Sequence, residues 1–295
     1  MEEYISDNSL YIRSKNNSMI NRKMIGRVLG MLLFIELGMF LLCAGVSAGY
    51  GESDYKYFLY TCIINAVVGG LLLLYGRGAE NKMSRRDGYC VVTLSWVFFT
   101  FFGMLPFYFS GSIDTITNAF FETMSGFTTT GATILDDIES LSHGMLFWRS
   151  LTQWIGGLGI VFFTIAILPI FTTGGVQLFS AESTGVTHDR THPKINVMAK
   201  WLWTIYLVLT VSETVLLMFG GMSLFDAICQ SFATTATGGY STKQNSISYW
   251  NSPYIEYVVA IFMIVSSINF SLFLMCLKGK VGRLFKDEEL HWFLA

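Results

Sequence analysis

The chain has 295 residues, of which 52% are hydrophobic, 16% aromatic and only 14% charged, with a formal net charge of −2. This composition excludes an ordinary soluble domain, whose interior could not hide several uninterrupted apolar runs. The near-neutral charge gives no support for a nucleic-acid partner, and the five cysteines lack the CxxC spacing of a metal or redox site.

Long apolar segments define the predicted membrane spans. A helix crosses the hydrocarbon core of a bilayer with about 20 apolar residues. Five or six segments meet this requirement, at approximately 24–48, 56–76, 88–109, 148–171, 199–220 and 253–277. We therefore predict an all-α protein that crosses the lipid bilayer several times.

The distribution of basic residues predicts the orientation. Of the 19 Lys and Arg residues, all but Lys56, Arg149 and Lys243 fall on one side of the six-span topology. Cytoplasmic loops carry the excess of Lys and Arg in membrane proteins. We therefore expect a cytoplasmic N-terminus, with the segments after the third and fifth spans entering the membrane from outside.

Two short apolar helices, each too short to cross a membrane, run directly into loops rich in Thr and Gly. They are predicted over residues 114–127 and 224–235, with Asp114 and Asp226 as caps at their N-termini. The two segments lie about 108 residues apart, and each stands between two full-length apolar segments. We interpret the pattern as two copies of one unit: span, short helix, loop, span.

The two loops have the composition of an ion filter, since non-helical backbone survives inside a membrane only where it lines water or ions. Gly131, Gly238 and Gly239 are expected to supply the positive φ angles that turn successive carbonyl groups toward one axis. The C-terminal end of each short helix places negative partial charge at its loop, which favours a cation. The loops bring no ring of Asp or Glu, so we expect a monovalent ion.

Several residues around the loops are predicted to support them. Glu122, in the first short helix, is expected to bond backbone N–H groups behind the loop. Arg149 is interpreted as an anchor at the membrane interface. The glycines at 156, 157 and 159 are expected to let helices pack closely.

Four further polar residues lie within apolar segments: Glu36, Asn65, Glu213 and Asn269. A polar side chain inside the membrane needs a partner or a function. We interpret the first three as partners in interhelical hydrogen bonds and keep Asn269 as a candidate for facing the pore.

The motifs resemble a known family. Residues 120–133 read FFETMSGFTTTGAT, and residues 153–160 read QWIGGLGI. The second unit carries DAI at 226–228 and GGYST at 238–242. Over nearly the whole chain, these sequences closely resemble the TrkH subunit of bacterial Trk potassium uptake systems.

The resemblance implies four membrane–pore loop–membrane repeats around a pseudo-fourfold axis, with one filter glycine in each repeat. Carried over by motif, the potassium-binding filter residues are Thr129, Thr130, Gly131, Thr237, Gly238 and Gly239, with Thr128 in a supporting role. The resemblance also implies a homodimer in the bacterial inner membrane, regulated by a cytosolic, nucleotide-binding TrkA-like subunit. It implies potassium as the transported ion, no organic cofactor and no enzymatic activity.

Only two of the four repeats are found. We divide the chain into an extra transmembrane hairpin (1–87), a first pore repeat (88–198), a second pore repeat (199–282) and the start of a third (283–295). Two loops form half a ring of carbonyl groups. The chain is therefore expected to be a fragment, because its sequence stops within the opening of a span, or else two copies pair to rebuild four loops.

Three alternatives remain open at this point. A sodium-permeable member of the same superfamily is the closest, although serine in place of a filter glycine tends to accompany sodium permeation, and residues 131 and 239 are glycines. A non-conducting fragment that only assembles with intact copies is the second. The third is an intramembrane hydrolase with Ser125 as nucleophile, for which no His or Asp in a span supplies a base.

Overall fold

The computed structural model of the chain describes residues 20–79, 85–167, 195–268, 272–273 and 287–294, and its regular structure there is helical. In chain order the helices are α1 (Arg22–Gly49), α2 (Tyr55–Tyr75), α3 (Arg85–Gly103), α4 (Leu105–Ser110), α5 (Ile116–Phe127), α6 (His143–Ile167), α7 (Ile195–Phe219), α8 (Leu224–Thr235), α9 (Pro253–Ser267) and α10 (Glu288–Leu294). A 3₁₀ turn lies at Ser246–Trp250. These ranges contain no strand, and the predicted all-α class is confirmed.

Several of the described helices are long and apolar enough to cross a membrane. They are Arg22–Gly49, Tyr55–Tyr75, Arg86–Ser110 and Lys200–Phe219. They correspond to the first, second, third and fifth predicted spans. The fourth predicted span, 148–171, falls on α6, which begins earlier, at His143. The sixth begins as predicted at Pro253, and most of its sequence beyond Ser267 lies outside the described residues.

Buried polar residues link neighbouring helices as predicted. In the hairpin of α1 and α2, Asn65 Nδ2 donates to Glu36 Oε2 at 3.1 Å. Between α8 and α7, the Thr235 hydroxyl donates to Glu213 Oε2 at 3.5 Å. The interhelical bonds expected for these residues are therefore confirmed, whereas Asn269 lies outside the described residues.

The third apolar segment is broken into α3 and α4 at Met104. Pro106 has no N–H group and cannot donate the helical bond to the Phe102 carbonyl. At the break, the Gly103 carbonyl accepts a hydrogen bond of 2.8 Å from Trp148 Nε1, and Trp148 is fully buried. This hydrogen bond links the break to α6.

The two predicted units share their local structure. The short helices α5 and α8 have 12 residues each, and their N-caps are Thr115 and Ser223. Each cap side chain accepts a hydrogen bond from the backbone N–H three residues later. The prediction of Asp114 and Asp226 as caps was therefore wrong: a hydroxyl residue in extended conformation takes that place in both helices. Asp226 lies in the first turn of α8 instead, where a carboxylate favours the positive end of the helix dipole.

Helix α6 lies against the C-terminal ends of both short helices. A Cβ atom at Gly156 would overlap the carbonyl oxygen of Phe127, the last residue of α5. A Cβ atom at Gly157 would lie 2.7 Å from the Cα of Ala236, which caps α8. The close packing predicted for these two glycines is confirmed. Gly159 has a different role, because its φ of 67° kinks α6.

The loop between α1 and α2 caps the N-terminus of α6. The Glu52 carboxylate accepts from the backbone N–H of His143 at 2.9 Å and of Gly144 at 3.3 Å, and Oε1 lies 2.7 Å from His143 Nδ1. Burial by itself raises the pKa of Glu52, but the hydrogen bonds from His143 and Gly144 outweigh burial, and the pKa lies below its ordinary value. The negative carboxylate therefore helps to fix the hairpin on the first repeat.

Replacing Gly157 with alanine is expected to lower the stability of the chain by about 1–3 kcal/mol, because the added methyl group pushes α6 away from α8. Gly70→Ala is the matched control: Gly70 also lies within a helix, and a Cβ there meets nothing within 4 Å. Thermal unfolding of the purified chain in detergent micelles measures both variants. Equal melting temperatures would contradict the close contact.

Replacing Glu52 with glutamine is expected to lower the melting temperature at neutral pH, and to matter less in acid. The pKa of Glu52 is depressed in the folded chain, so its contribution is complete above the ordinary value of 4.5 and is lost as the pH falls through the folded-state pKa. Melting temperatures of wild type and variant are compared between neutral pH and a pH well below 4.5, at which the Glu52 carboxylate becomes protonated. A difference that stays constant over this range would show that the charge of Glu52 contributes nothing.

Candidate functional site

The candidate site consists of the backbone segments that follow the two short helices, residues 128–131 (loop 1) and 236–239 (loop 2). In loop 1, φ is positive at Thr129 (53°) and at Gly131 (75°). In loop 2, φ is positive at Thr237 (54°) and at Gly239 (84°). A left-handed threonine costs conformational energy. Its occurrence at the same place in both loops indicates a shared structural requirement.

Gly238 does not have a positive φ, so the prediction for this residue was wrong. A Cβ atom at Gly238 would lie 2.6 Å from Oε1 and 2.7 Å from Nε2 of Gln153, on α6. A larger residue at position 238 is therefore excluded by the Gln153 side chain, and not by the backbone conformation. The Gly238 carbonyl oxygen in turn occupies the space that a Cβ of Gly131 would need. Loop 1 and loop 2 are therefore in direct contact.

Most N–H groups of the two loops are bonded to the ends of the short helices. In loop 1, Thr129 and Thr130 donate to carbonyl groups near the end of α5 at 3.0 and 2.9 Å. In loop 2, Thr237 and Gly238 donate to the last residues of α8 at 2.9 and 2.8 Å. The carbonyl oxygens of both loops accept no hydrogen bond from any residue that the structure describes. Among the described residues, every loop N–H except that of Gly239 thus has an acceptor, whereas the loop carbonyl groups have no donor.

Two hydroxyl groups hold loop 1 in place. Thr128 Oγ1 donates to the Met124 carbonyl at 2.7 Å and lies 2.8 Å from Thr130 Oγ1. Ser125 Oγ donates to the Ala132 carbonyl at 2.6 Å. The hydroxyl of Ser125 is thus part of the loop scaffold, which argues against the nucleophile considered above.

Glu122 is buried in α5 and binds the segment that follows loop 1. Its Oε2 accepts from the backbone N–H of Ile134 at 3.0 Å, and its Oε1 accepts from the Thr133 hydroxyl at 2.9 Å. The bond to a backbone N–H predicted for Glu122 is present. Its Oε1 also accepts from Arg149 Nε at 2.7 Å. Both carboxylate oxygens are therefore occupied by donors from the protein.

Arg149 is buried, with 2% of its side chain exposed, so its predicted role as a membrane-interface anchor is wrong. Its Nη1 donates to the Ser241 carbonyl at 3.0 Å, and its guanidinium carbon lies 3.6 Å from the centroid of the Tyr240 ring. The Tyr240 hydroxyl donates to the Glu122 carbonyl at 2.8 Å. The sequence contained one signal for the burial of Arg149. A cation in an apolar segment needs a carboxylate partner, and Glu122 lies in the neighbouring short apolar helix.

Sequence comparison relates the chain to a described family. Residues 55–293 match the family TrkH, whose description is "Cation transport protein". Among curated proteins, the Trk system potassium uptake protein TrkH of Escherichia coli (strain K12) is 40% identical over 274 residues. The Trk system potassium uptake protein TrkG of the same organism is 32% identical over 275 residues. Each alignment covers 92% of this chain and 57% of the relative.

A solved structure has the same fold. The crystal structure of the potassium transporter TrkH from Vibrio parahaemolyticus is 33% identical in sequence and superposes with a TM-score of 0.80. The match covers 94% of this chain and 56% of that chain. The chain thus spans a little over half the length of the relatives it matches.

The contact between the loops predicts different effects for two equivalent glycines. Gly131→Ala and Gly239→Ala both place alanine at a positive φ, which costs about 1–2 kcal/mol. Only at residue 131 does the new Cβ meet the Gly238 carbonyl, because nothing lies within 4 Å of a Cβ at residue 239. Gly131→Ala is therefore expected to have the lower melting temperature. The opposite order would contradict the loop–loop contact.

Proposed function

Because this chain belongs to the TrkH family of cation transport proteins, we propose that it contributes two filter loops to a potassium uptake pore. The family is one of transporters and not of enzymes, which excludes the hydrolase. Potassium is bound by the backbone carbonyl groups of six residues: Thr129, Thr130, Gly131, Thr237, Gly238 and Gly239. The observation that carries the proposal is that these carbonyl groups have no donor among the described residues, whereas most N–H groups of the same loops are bonded.

An ion explains the unpaired carbonyl groups. Backbone acceptors inside a membrane must be satisfied, and non-helical backbone is tolerated where it lines an aqueous path. A dehydrated K⁺ replaces its lost water oxygens with carbonyl oxygens. The C-terminal ends of α5 and α8 lead directly into the loops, so the negative ends of both helix dipoles favour a cation there.

The charge of the site suits a monovalent ion. Sites for divalent cations usually supply carboxylate ligands, and neither loop contains Asp or Glu. Glu122, the acidic residue closest to loop 1 in α5, is paired with Arg149 at 2.7 Å. Thr128 and Glu122 support the loop from behind, and Asn269 stays a predicted supporting residue.

We place the chain in the bacterial inner membrane with its N-terminus in the cytoplasm, so that both loops enter from outside. The uneven distribution of basic residues supports this orientation. The pore repeats occupy residues 88–198 and 199–282. Two loops are half of the ring expected for the family, and further repeats or a second copy of this chain supply the others. A homodimer with a TrkA-like regulatory subunit is the assembly proposed for the complete system.

Growth tests the proposal in a bacterium that lacks its own potassium uptake systems and expresses this chain. If two copies of this chain pair to rebuild four loops, growth at limiting potassium is restored, and it fails with Gly131→Ser because the new side chain displaces the Gly238 carbonyl. Gly111→Ser is the matched control: Gly111 also has a positive φ, of 72°, and nothing lies within 4 Å of a Cβ there. Immunoblots of membranes check that expression is equal.

Ion-dependent unfolding of the purified chain gives an independent result. K⁺ and Rb⁺ are expected to raise the melting temperature by roughly a few degrees more than Na⁺ at equal ionic strength, because only a bound ion stabilises the folded state. Equal effects of K⁺ and Na⁺ would favour the sodium-permeable alternative. Absence of both growth and ion-dependent stabilisation, despite good expression, would contradict the proposal.

A further inference from the structure

We propose that Arg149 and Gln153 of α6 are positioning residues for ion selectivity. They hold loop 2 against loop 1 and thereby fix the separation of the two sets of carbonyl groups. This inference rests on the proposed function, because selectivity has meaning only if the loops bind an ion.

Arg149 contacts both repeats at once. Its Nε lies 2.7 Å from Glu122 in the first repeat, and its Nη1 lies 3.0 Å from the Ser241 carbonyl, just after loop 2. Its guanidinium also lies against the ring of Tyr240. A planar guanidinium satisfies these three partners in one fixed orientation, whereas the point charge of a lysine cannot. Arg149 therefore joins the first pore helix to the exit of loop 2, alongside the bond from the Tyr240 hydroxyl to the Glu122 carbonyl.

Gln153 lies one helical turn beyond Arg149 and touches loop 2 directly. Its Oε1 accepts from the backbone N–H of Tyr240 at 3.0 Å, and the side chain is fully buried. The same amide group fills the space beside Gly238 where a Cβ would stand. Because the Gly238 carbonyl packs against Gly131, the placement of Gln153 is transmitted to loop 1.

The arrangement adds little net charge near the ion. Glu122 neutralises Arg149 in a pair whose side chains are 0% and 2% exposed. Such a buried pair is screened little by salt, so it persists at the salt concentrations that bind the transported ion. Its influence on the ion is exerted through the position of the carbonyl groups.

A second ion pair joins the segment that follows loop 1 to the segment that follows loop 2, and it supplies a control. Lys243 Nζ lies 3.4 Å from Glu139 Oε2, with 22% and 40% of the two side chains exposed. Lys243 follows loop 2 and Glu139 follows loop 1, but no hydrogen bond links either residue to a loop carbonyl. Lys243→Ala therefore removes a link between the segments and leaves the geometry of the loops unchanged.

The experiment measures the K⁺ and Na⁺ concentrations that give half of the maximal rise in melting temperature of the purified chain. We expect the Na⁺ midpoint to exceed the K⁺ midpoint by about tenfold or more in wild type and in Lys243→Ala. In Arg149→Lys, which keeps the charge, and in Gln153→Met, which keeps the length of the side chain, the ratio is expected to fall by about threefold or more.

Each outcome decides the inference. A lower melting temperature without ions, combined with an unchanged ratio, would assign both residues a purely structural role and overturn the inference. If wild type itself does not distinguish K⁺ from Na⁺, the proposed function fails and this inference fails with it, before any substitution is compared. If Arg149→Lys does not fold, the ratio for Gln153→Met decides alone.

Discussion

The structure depends on one constraint: backbone polar groups inside a membrane need partners. Helices satisfy it by themselves, and the two loops do not. Most of their N–H groups donate back to the ends of α5 and α8, and the carbonyl groups have no donor among the described residues. Such a segment is stable only if other elements hold it, and the surrounding helices are arranged to do so.

Helix α6 provides one part of this support, beside the short helices themselves. Its two glycines at 156 and 157 allow it to touch the end of each short helix, and its polar residues Arg149 and Gln153 reach the segments that leave the loops. The glycines of the molecule thus meet two different demands. Gly131 provides a left-handed turn, whereas Gly238 provides space for a side chain from another repeat.

Local patterns in the sequence predicted the two short helices and the left-handed Gly131 and Gly239, because apolar length and Thr/Gly composition are local properties. Contacts between repeats were not predicted. The burial of Arg149 depends on Glu122 and Ser241, which are distant in sequence. Hydropathy treats an arginine near the end of a span as an interface residue, and only the tertiary fold shows that a carboxylate faces it. The caps were missed for a smaller reason, since Thr115 and Ser223 compete with nearby aspartates for the same role.

The order of these elements along the chain has a consequence for biosynthesis. Membrane proteins emerge from the ribosome N-terminus first, and early segments fold before later ones. Arg149 and Gln153 are therefore synthesised before Tyr240 and Ser241, the residues to which they bind. Loop 2 can therefore pack against Arg149 and Gln153 as soon as it is synthesised. Loop 1 gains its contact with Gly238 only after the second repeat has been made.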